Sequence, residues 1–275
     1  LQIFTTGSEV AVTSRPFTPA NVQIRPQTSH GANKVEVEDV DGSTLFVDRH
    51  GKSLLSFLYS FNEDAYTTDD RSVLASHLIN QPVDMALLAG TASDDANWLF
   101  IVNSDGNATI LNTLRSQDIN GFTTWKTNGD IKSVCVVDDE LYISVERTIN
   151  LVTKLFIERW DFDYMLDCST KATRSGSDVT GLEHLNGEEV SVLVDTENYV
   201  LDKRTVSSNK IVLDSTEEYS GDYEVGFVFV PTIKPMPLNT NIGSGENQMR
   251  LKKIIRMNLR VYESSGVYIN GLPVP

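Results

Sequence analysis

The sequence predicts an all-β chain in which a partial β-propeller of several antiparallel blades carries an inserted small β-barrel or β-sandwich domain. Two observations lead there. A strand hairpin opening on leucine recurs four times within the first 160 residues, and turns rich in Gly, Asn and Asp separate its alternating apolar strands. The copies begin at Leu1, Leu45, Leu99 and Leu141, at intervals of 44, 54 and 42 residues, which is the period of a propeller blade.

The first copy, Leu1-Gln-Ile-Phe-Thr-Thr-Gly-Ser-Glu-Val-Ala-Val, turns at Thr6-Gly7-Ser8. The second turns at His50-Gly51-Lys52 and the third at Ser104-Asp105-Gly106-Asn107, so each of the three places glycine where a tight hairpin needs positive φ. The fourth, Leu141-Tyr-Ile-Ser-Val-Glu-Arg-Thr-Ile-Asn-Leu, lacks that glycine. A further strand is expected before each of the last three copies, at Val35-Glu-Val-Glu, Val83-Asp-Met-Ala-Leu-Leu and Ser133-Val-Cys-Val-Val. Between the second and third copies, residues 69–79 open on a capping aspartate and space Val73 with His77 and Leu74 with Leu78, which predicts a short helical insert.

The repeat stops near Arg159-Trp160-Asp161, and the polar stretch Thr170 to Asp178 marks a boundary. The blades are therefore assigned to 1–165 and a small β domain to 166–240. Its strands are Val190-Ser-Val-Leu-Val, Tyr199-Val-Leu, Lys210-Ile-Val-Leu and Tyr223-Glu-Val-Gly-Phe-Val-Phe-Val, closed by Pro231, Pro235 and Pro237, which cannot donate to a ladder. Residues 241–275 carry a returning strand, Arg250 to Tyr262, with Ile255, Met257, Leu259 and Val261 on one face and Arg256, Asn258 and Arg260 on the other.

A chain of 275 residues buries about 70–75% of its unfolded surface, and 40% apolar with 22% charged residues is a globular composition. No apolar run reaches the roughly 20 residues of a membrane span, so a protein that is soluble when isolated is expected. A strand starting at Leu1 leads to the expectation of a longer parent chain. Two cysteines, Cys135 and Cys168, are too few for a disulfide framework, and Cys135 in an apolar run is expected to be a buried thiol. The net charge of −15 repels nucleic acid and argues against a DNA-reading role. It does not forbid DNA passing nearby, since a conduit wants weak adhesion to a polyanion.

The order and separation of a series of short segments carry a family likeness. The residues that carry the likeness begin with Phe4-Thr-Thr-Gly-Ser-Glu9, Phe17-Thr-Pro-Ala-Asn-Val22, Leu45-Phe-Val-Asp-Arg49 and Tyr66 through Leu78. They continue through Trp98-Leu-Phe100, Asp105-Gly106, Trp125, Asn128-Gly129, Ser133-Val134, Leu141-Tyr142, Val145-Glu-Arg147, Ile157-Glu-Arg-Trp160 and Gly181-Leu-Glu-His-Leu-Asn-Gly187. The hairpin at Asn150 to Lys154 departs from the pattern by lacking a glycine. In this order and separation the segments resemble those of the tail nozzle proteins of short-tailed phages, also called tail tubular protein B or phage stabilisation proteins, and the resemblance implies a virion tail protein: a propeller with an inserted β domain, assembled as a hexameric ring with other tail proteins, through which DNA passes without sequence-specific binding.

No pattern points to catalysis, a metal or a cofactor. His30, His50, His77 and His184 are scattered without zinc spacing, and structural roles are expected of them. Glu38-Asp-Val-Asp-Gly-Ser43 lacks the later ligands of a calcium loop and reads as a turn, as do Asp94-Asp95 and Asp138-Asp139. No nucleophile elbow, phosphate loop or dinucleotide fingerprint occurs. The one basic cluster, Arg250, Lys252, Lys253, Arg256 and Arg260, is a solvated strand face or a candidate subunit interface with an acidic neighbour. An alternative function is a carbohydrate-binding or carbohydrate-active propeller, with Trp98, Trp125 and Trp160 as stacking platforms, although core packing accounts for the same residues.

Overall fold

The computed structural model describes residues 1–12, 18–92, 95–194, 199–235, 253–261, 264 and 266–274. They form an all-β structure with several antiparallel sheets and no α-helix among the described residues. The chain divides into two compact units, Leu1–Asp163 and Tyr164–Pro275.

The first unit is a succession of four meander sheets. The first holds β1 (Gln2–Phe4), β2 (Glu9–Val12) and β3 (Ile24–Thr28), and the second β4 (Glu38–Val40), β5 (Ser43–Val47), β6 (Leu54–Ser60) and β7 (Ala65–Asp70). The third holds β8 (Pro82–Leu88), β9 (Asn97–Asn103), β10 (Ala108–Leu114) and β11 (Ile119–Trp125), and the fourth β12 (Asp130–Val137), β13 (Glu140–Ile149) and β14 (Val152–Arg159). All four repeated hairpins form, as β1–β2, β5–β6, β9–β10 and β13–β14.

Strand alternation decides how the sheets stack. Leu99, Ile101 and Leu111 point to one side of the third sheet and join Leu45, Val47 and Leu54 of the second. Phe100, Val102 and Ile110 point to the other side and join Ile131, Leu141, Ile143 and Val145 of the fourth. Phe46, Leu55 and Phe57 likewise turn the opposite face of the second sheet toward Phe4 of the first. The sheets thus pack face to face in chain order, and the inner strands are apolar on both faces because each lies between two cores. Every fully buried Leu, Ile or Phe adds about 1.5–3 kcal/mol.

Turn chemistry holds the hairpins in register. Asp41–Gly42, Asp138–Asp139 and Asn150–Leu151 each place two consecutive residues at positive φ, the signature of a two-residue type I′ turn. Gly51 and Gly106 also take positive φ, as the sequence predicts, but Gly7 does not. There the Thr5 hydroxyl oxygen accepts hydrogen bonds from the Gly7 and Ser8 N–H groups and closes the turn without a left-handed residue.

Three further expectations are corrected. The helical insert over 69–79 is absent: β7 extends through Asp70, and only a single 3-10 turn, Ser76–Leu78, follows. Asp70 caps no helix but closes a local turn, accepting from the Ser72 N–H at 2.7 Å, and Val73 and Leu74 are exposed, so a helix there would bury no apolar face. The strand before the second hairpin lies at Glu38–Val40 rather than Val35–Glu38, and Val35 joins the core instead. Finally, most of the polar stretch Thr170 to Asp178 is strand: Thr170–Ser175 belongs to a strand paired with Asp222–Phe227, and Gly176–Ser177 turns the chain into Asp178–Thr180.

In the second unit β15 (Asp167–Ser175), β16 (Asp178–Thr180), β17 (Glu189–Val194), β18 (Tyr199–Thr205), β19 (Lys210–Val212) and β20 (Asp222–Phe227) form one sheet. Its order is β18-β17-β20-β15-β16-β19, antiparallel throughout and curled as a half-barrel. A hairpin of β21 (Tyr268–Ile269) and β22 (Leu272–Pro273) turns at Asn270–Gly271. Glu224, fully buried in β20, pins the bulged start of β15: its Oε1 accepts from the Met165 and Leu166 N–H groups and from the Ser169 hydroxyl. Gly226 faces the same bulge, where a Cβ would stand 2.6 Å from the Ser169 side chain.

Candidate assembly surface

The basic segment is placed differently from its expectation. Residues 253–261 form no strand, and every one of them is exposed, including Lys253, Arg256 and Arg260. Arg250 and Lys252 lie outside the described residues. The alternation expected of a strand is present in the side chains, but strand structure needs a neighbouring ladder, and none pairs with this segment among the described residues. Ile255 is 91% exposed, and Met257, Leu259 and Val261 are also open to solvent.

The edge of the fourth sheet is the second unusual surface. Among the described residues β14 pairs with β13 on one side only, through the register Ser144↔Ile157 and Glu146↔Leu155. Its inner face is fixed by Arg147, which is fully buried and grips both carboxylate oxygens of Glu158 at 2.6 and 2.7 Å while donating to the Asn128 carbonyl. A planar fork of this kind needs a partner of fixed orientation, so the pair sets which face of β14 looks inward. Alternation then turns Leu155 and Ile157 outward, 62% and 79% exposed, with Leu151 at the turn 95% exposed. The Leu151-Val-Thr-Lys-Leu-Phe-Ile run contains this signal, though periodicity alone leaves open which face is buried.

Beside it, charges cluster at the other end of the hairpin. Arg159 bridges Glu140 at 2.9 Å and Asp161 at 2.8 Å, and the Glu140 carboxylate holds the guanidinium above its ordinary pKa. The Tyr142 phenol is pushed up by its hydrogen bond to the same carboxylate. These groups are half-buried or exposed, so their pairing in water is weak.

The remaining candidate residues do not converge. Among the described residues no group of three His, Cys, Asp or Glu side chains is placed to hold a metal ion. The His184 ring meets the Cys168 carbonyl, His50 accepts from Arg49, and the His30 N–H donates to buried Glu9. Asp41 and Asp138–Asp139 occupy hairpin turns, Asp95 closes a turn onto Thr91, and Asp94 lies outside the described residues. Cys135 is exposed, which corrects its expected burial: the β12 register turns Val134 into the core and Cys135 out beside Tyr142.

Trp98, Trp125 and Trp160 do come together, on the core between the third and fourth sheets. Trp125 and Trp160 meet edge to face with centroids 4.6 Å apart, and Phe100 packs edge to face on both. That arrangement covers ring faces a bound sugar would stack on.

A polar cleft of about 520 Å³ also opens in the first unit, lined by Lys52, His77, Asn80, Asp105 and Lys126 among others. Burial opposes ionisation of Asp105, but hydrogen bonds from the Asn107 N–H and nearby amides outweigh it and hold the carboxyl below its usual value. Lys52 donates to Asn80 at 2.9 Å. The cleft combines both signs of charge with amides.

No family model matches the chain, and no curated protein matches it in sequence. No helix of the described residues is long and apolar enough to cross a membrane.

Proposed function

We propose that the chain is a structural subunit of a short-tailed phage tail, part of a nozzle ring through which DNA leaves the virion. The observation that carries this reading is the run of meander sheets packed face to face in chain order, the arrangement from which propeller blades are built. It supports reading Leu1–Asp163 as successive blades of a partial propeller, with the half-barrel unit as the inserted domain. The resemblance of the motif order to that of nozzle proteins supports this role, and fold alone would not. The net charge of −15 favours a wall to which DNA adheres weakly.

A ring requires heterologous contacts, in which one patch meets a different patch on the next copy. Leu155 with Ile157 and the segment 253–261 are two such unlike surfaces on one chain. The test is assembly of the full-length protein. Light scattering and negative-stain microscopy at rising concentration are expected to show closed rings, six-membered by resemblance, with an open centre. A protein that remains monomeric and fails to join tail particles lacking it overturns the reading. So does specific glycan turnover.

A further inference from the structure

We propose that the open edge of β14 accepts residues Lys253–Val261 of a second copy as an added antiparallel strand, an inference that rests on the assembly reading above and names its joint. The second and third sheets each end in a fourth strand, β7 and β11, laid on the outer side of the third. In the fourth sheet that position, beside β14, is empty among the described residues.

The edge is also unlike its counterparts. β7 is Ala-Tyr-Thr-Thr-Asp-Asp and ends on two exposed carboxylates, which discourage pairing with other chains, and β11 intersperses polar with apolar residues, whereas β14 sets its Lys154 and Arg159 beside an exposed apolar row. β14 offers Leu155 and Ile157 to solvent across eight residues of strand. Leu151, at the tip, holds φ of 63°, a conformation that a glycine would adopt freely and a leucine does not. An exposed apolar residue kept at a strained position fits a contact made on assembly.

The occupant follows from complementarity. Residues 253–261 match the length of β14, are exposed throughout, and carry Ile255, Met257, Leu259 and Val261 on alternate positions, a row that would continue that of Leu155 and Ile157. The stretch 250–261 holds five cations and no acid, so the rest of the chain carries −20 rather than −15. A basic strand is drawn to such a body, and backbone ladder bonds then fix it, as in recognition by β-augmentation. Within Leu1–Asp163 the edge of β14 has no second partner strand among the described residues, and within Tyr164–Pro275 the segment pairs with none, so each can serve as the complement of the other on a neighbouring copy. Because donor and acceptor differ, the contact is heterologous and propagates around a ring.

The test uses the full-length protein and two single variants at exposed sites, Met257→Pro and Ile157→Lys. Both positions are exposed, so circular dichroism and Tm of the monomer should stay unchanged. Proline removes a ladder N–H and lysine an apolar contact, and each should weaken self-association by about 100-fold. Mixing Ile157→Cys chains with Met257→Cys or Leu259→Cys chains, in a Cys135→Ser, Cys168→Ser background, should give an oxidised heterodimer on non-reducing gels. Wild type that assembles while both variants assemble equally well overturns this joint and leaves the nozzle reading standing. Wild type that stays monomeric overturns both. A disulfide forming within one dilute chain carrying both cysteines overturns the exchange between copies.

Discussion

At the scale of single residues, Leu151 shows what a sequence pattern can reveal when it breaks. The fourth hairpin is the copy without a turn glycine, and its turn has Asn150 and Leu151 at φ of 48° and 63°. Left-handed backbone costs a residue with a Cβ about 1 kcal/mol, whereas Asn-Gly is the preferred pair for a type I′ turn. Leu151→Gly should therefore stabilise the isolated chain by about 0.5 kcal/mol, after allowing for the larger entropy of glycine in the unfolded state. Urea unfolding should show a higher midpoint at constant slope, and an unchanged or lower midpoint contradicts the strain. Other residues were not legible in this way. Glu224 sits in an alternating strand, yet its burial depends on donors at Met165, Leu166 and Ser169, nearly 60 positions away in the chain. Cys135 reads as buried in an apolar run, and only the register of β12 on β13 turns it outward.

Among elements, the hairpins were legible because period-two alternation and turn residues are local properties. The insert over 69–79 was not, since helical spacing predicts a helix only where a surface exists to cover its apolar face, and Leu74 is 94% exposed. Tertiary pairing instead drew Asp69 and Asp70 into β7, opposite Ser56 and Leu55. In the second unit, the loop between β19 and β20 is held by an equally non-local contact. Arg204 of β18 donates to both oxygens of Glu217 at 2.7 Å, and the Asp214 N–H adds a third bond. Burial opposes ionisation of Glu217, but these donors outweigh it and hold the carboxyl below its usual value. A lowered carboxylate pKa adds stability that is complete above the unfolded value and fades as pH falls through the folded one. Glu217→Gln should thus cost about 1–2 kcal/mol at pH 7 and progressively less below pH 4.5, because acid has by then removed the same contact from the wild type. All three tryptophans lie in the first unit, so hydrogen exchange at β18 and β20 is the suitable probe. A cost that stays constant down to pH 3 rules out the ionised pair as its source.

For the whole molecule, charge and strand pairing make separable contributions to assembly. The basic segment is a small positive patch on a strongly acidic chain, and two such chains repel one another overall. Attraction between the patch and a neighbouring body acts over a Debye length, about 10 Å at 0.1 M salt, so it speeds encounter at low ionic strength and is screened at high. Ladder bonds and the contacts of Leu155 and Ile157 act only after docking and set how long the contact lasts. Replacing Lys252 and Lys253 with glutamate takes the net charge from −15 to −19 and reverses part of the patch while leaving the alternating apolar row intact. Assembly of this variant should be slowed about tenfold or more at 50 mM salt, with the difference from wild type shrinking toward 500 mM. Its dissociation rate once assembled should remain close to that of wild type. Met257→Pro should do the reverse, with near-normal salt dependence and rapid dissociation. Stopped-flow light scattering across ionic strength separates the two, and identical salt dependence for wild type and the double-glutamate variant would show that the cationic segment does not steer the contact.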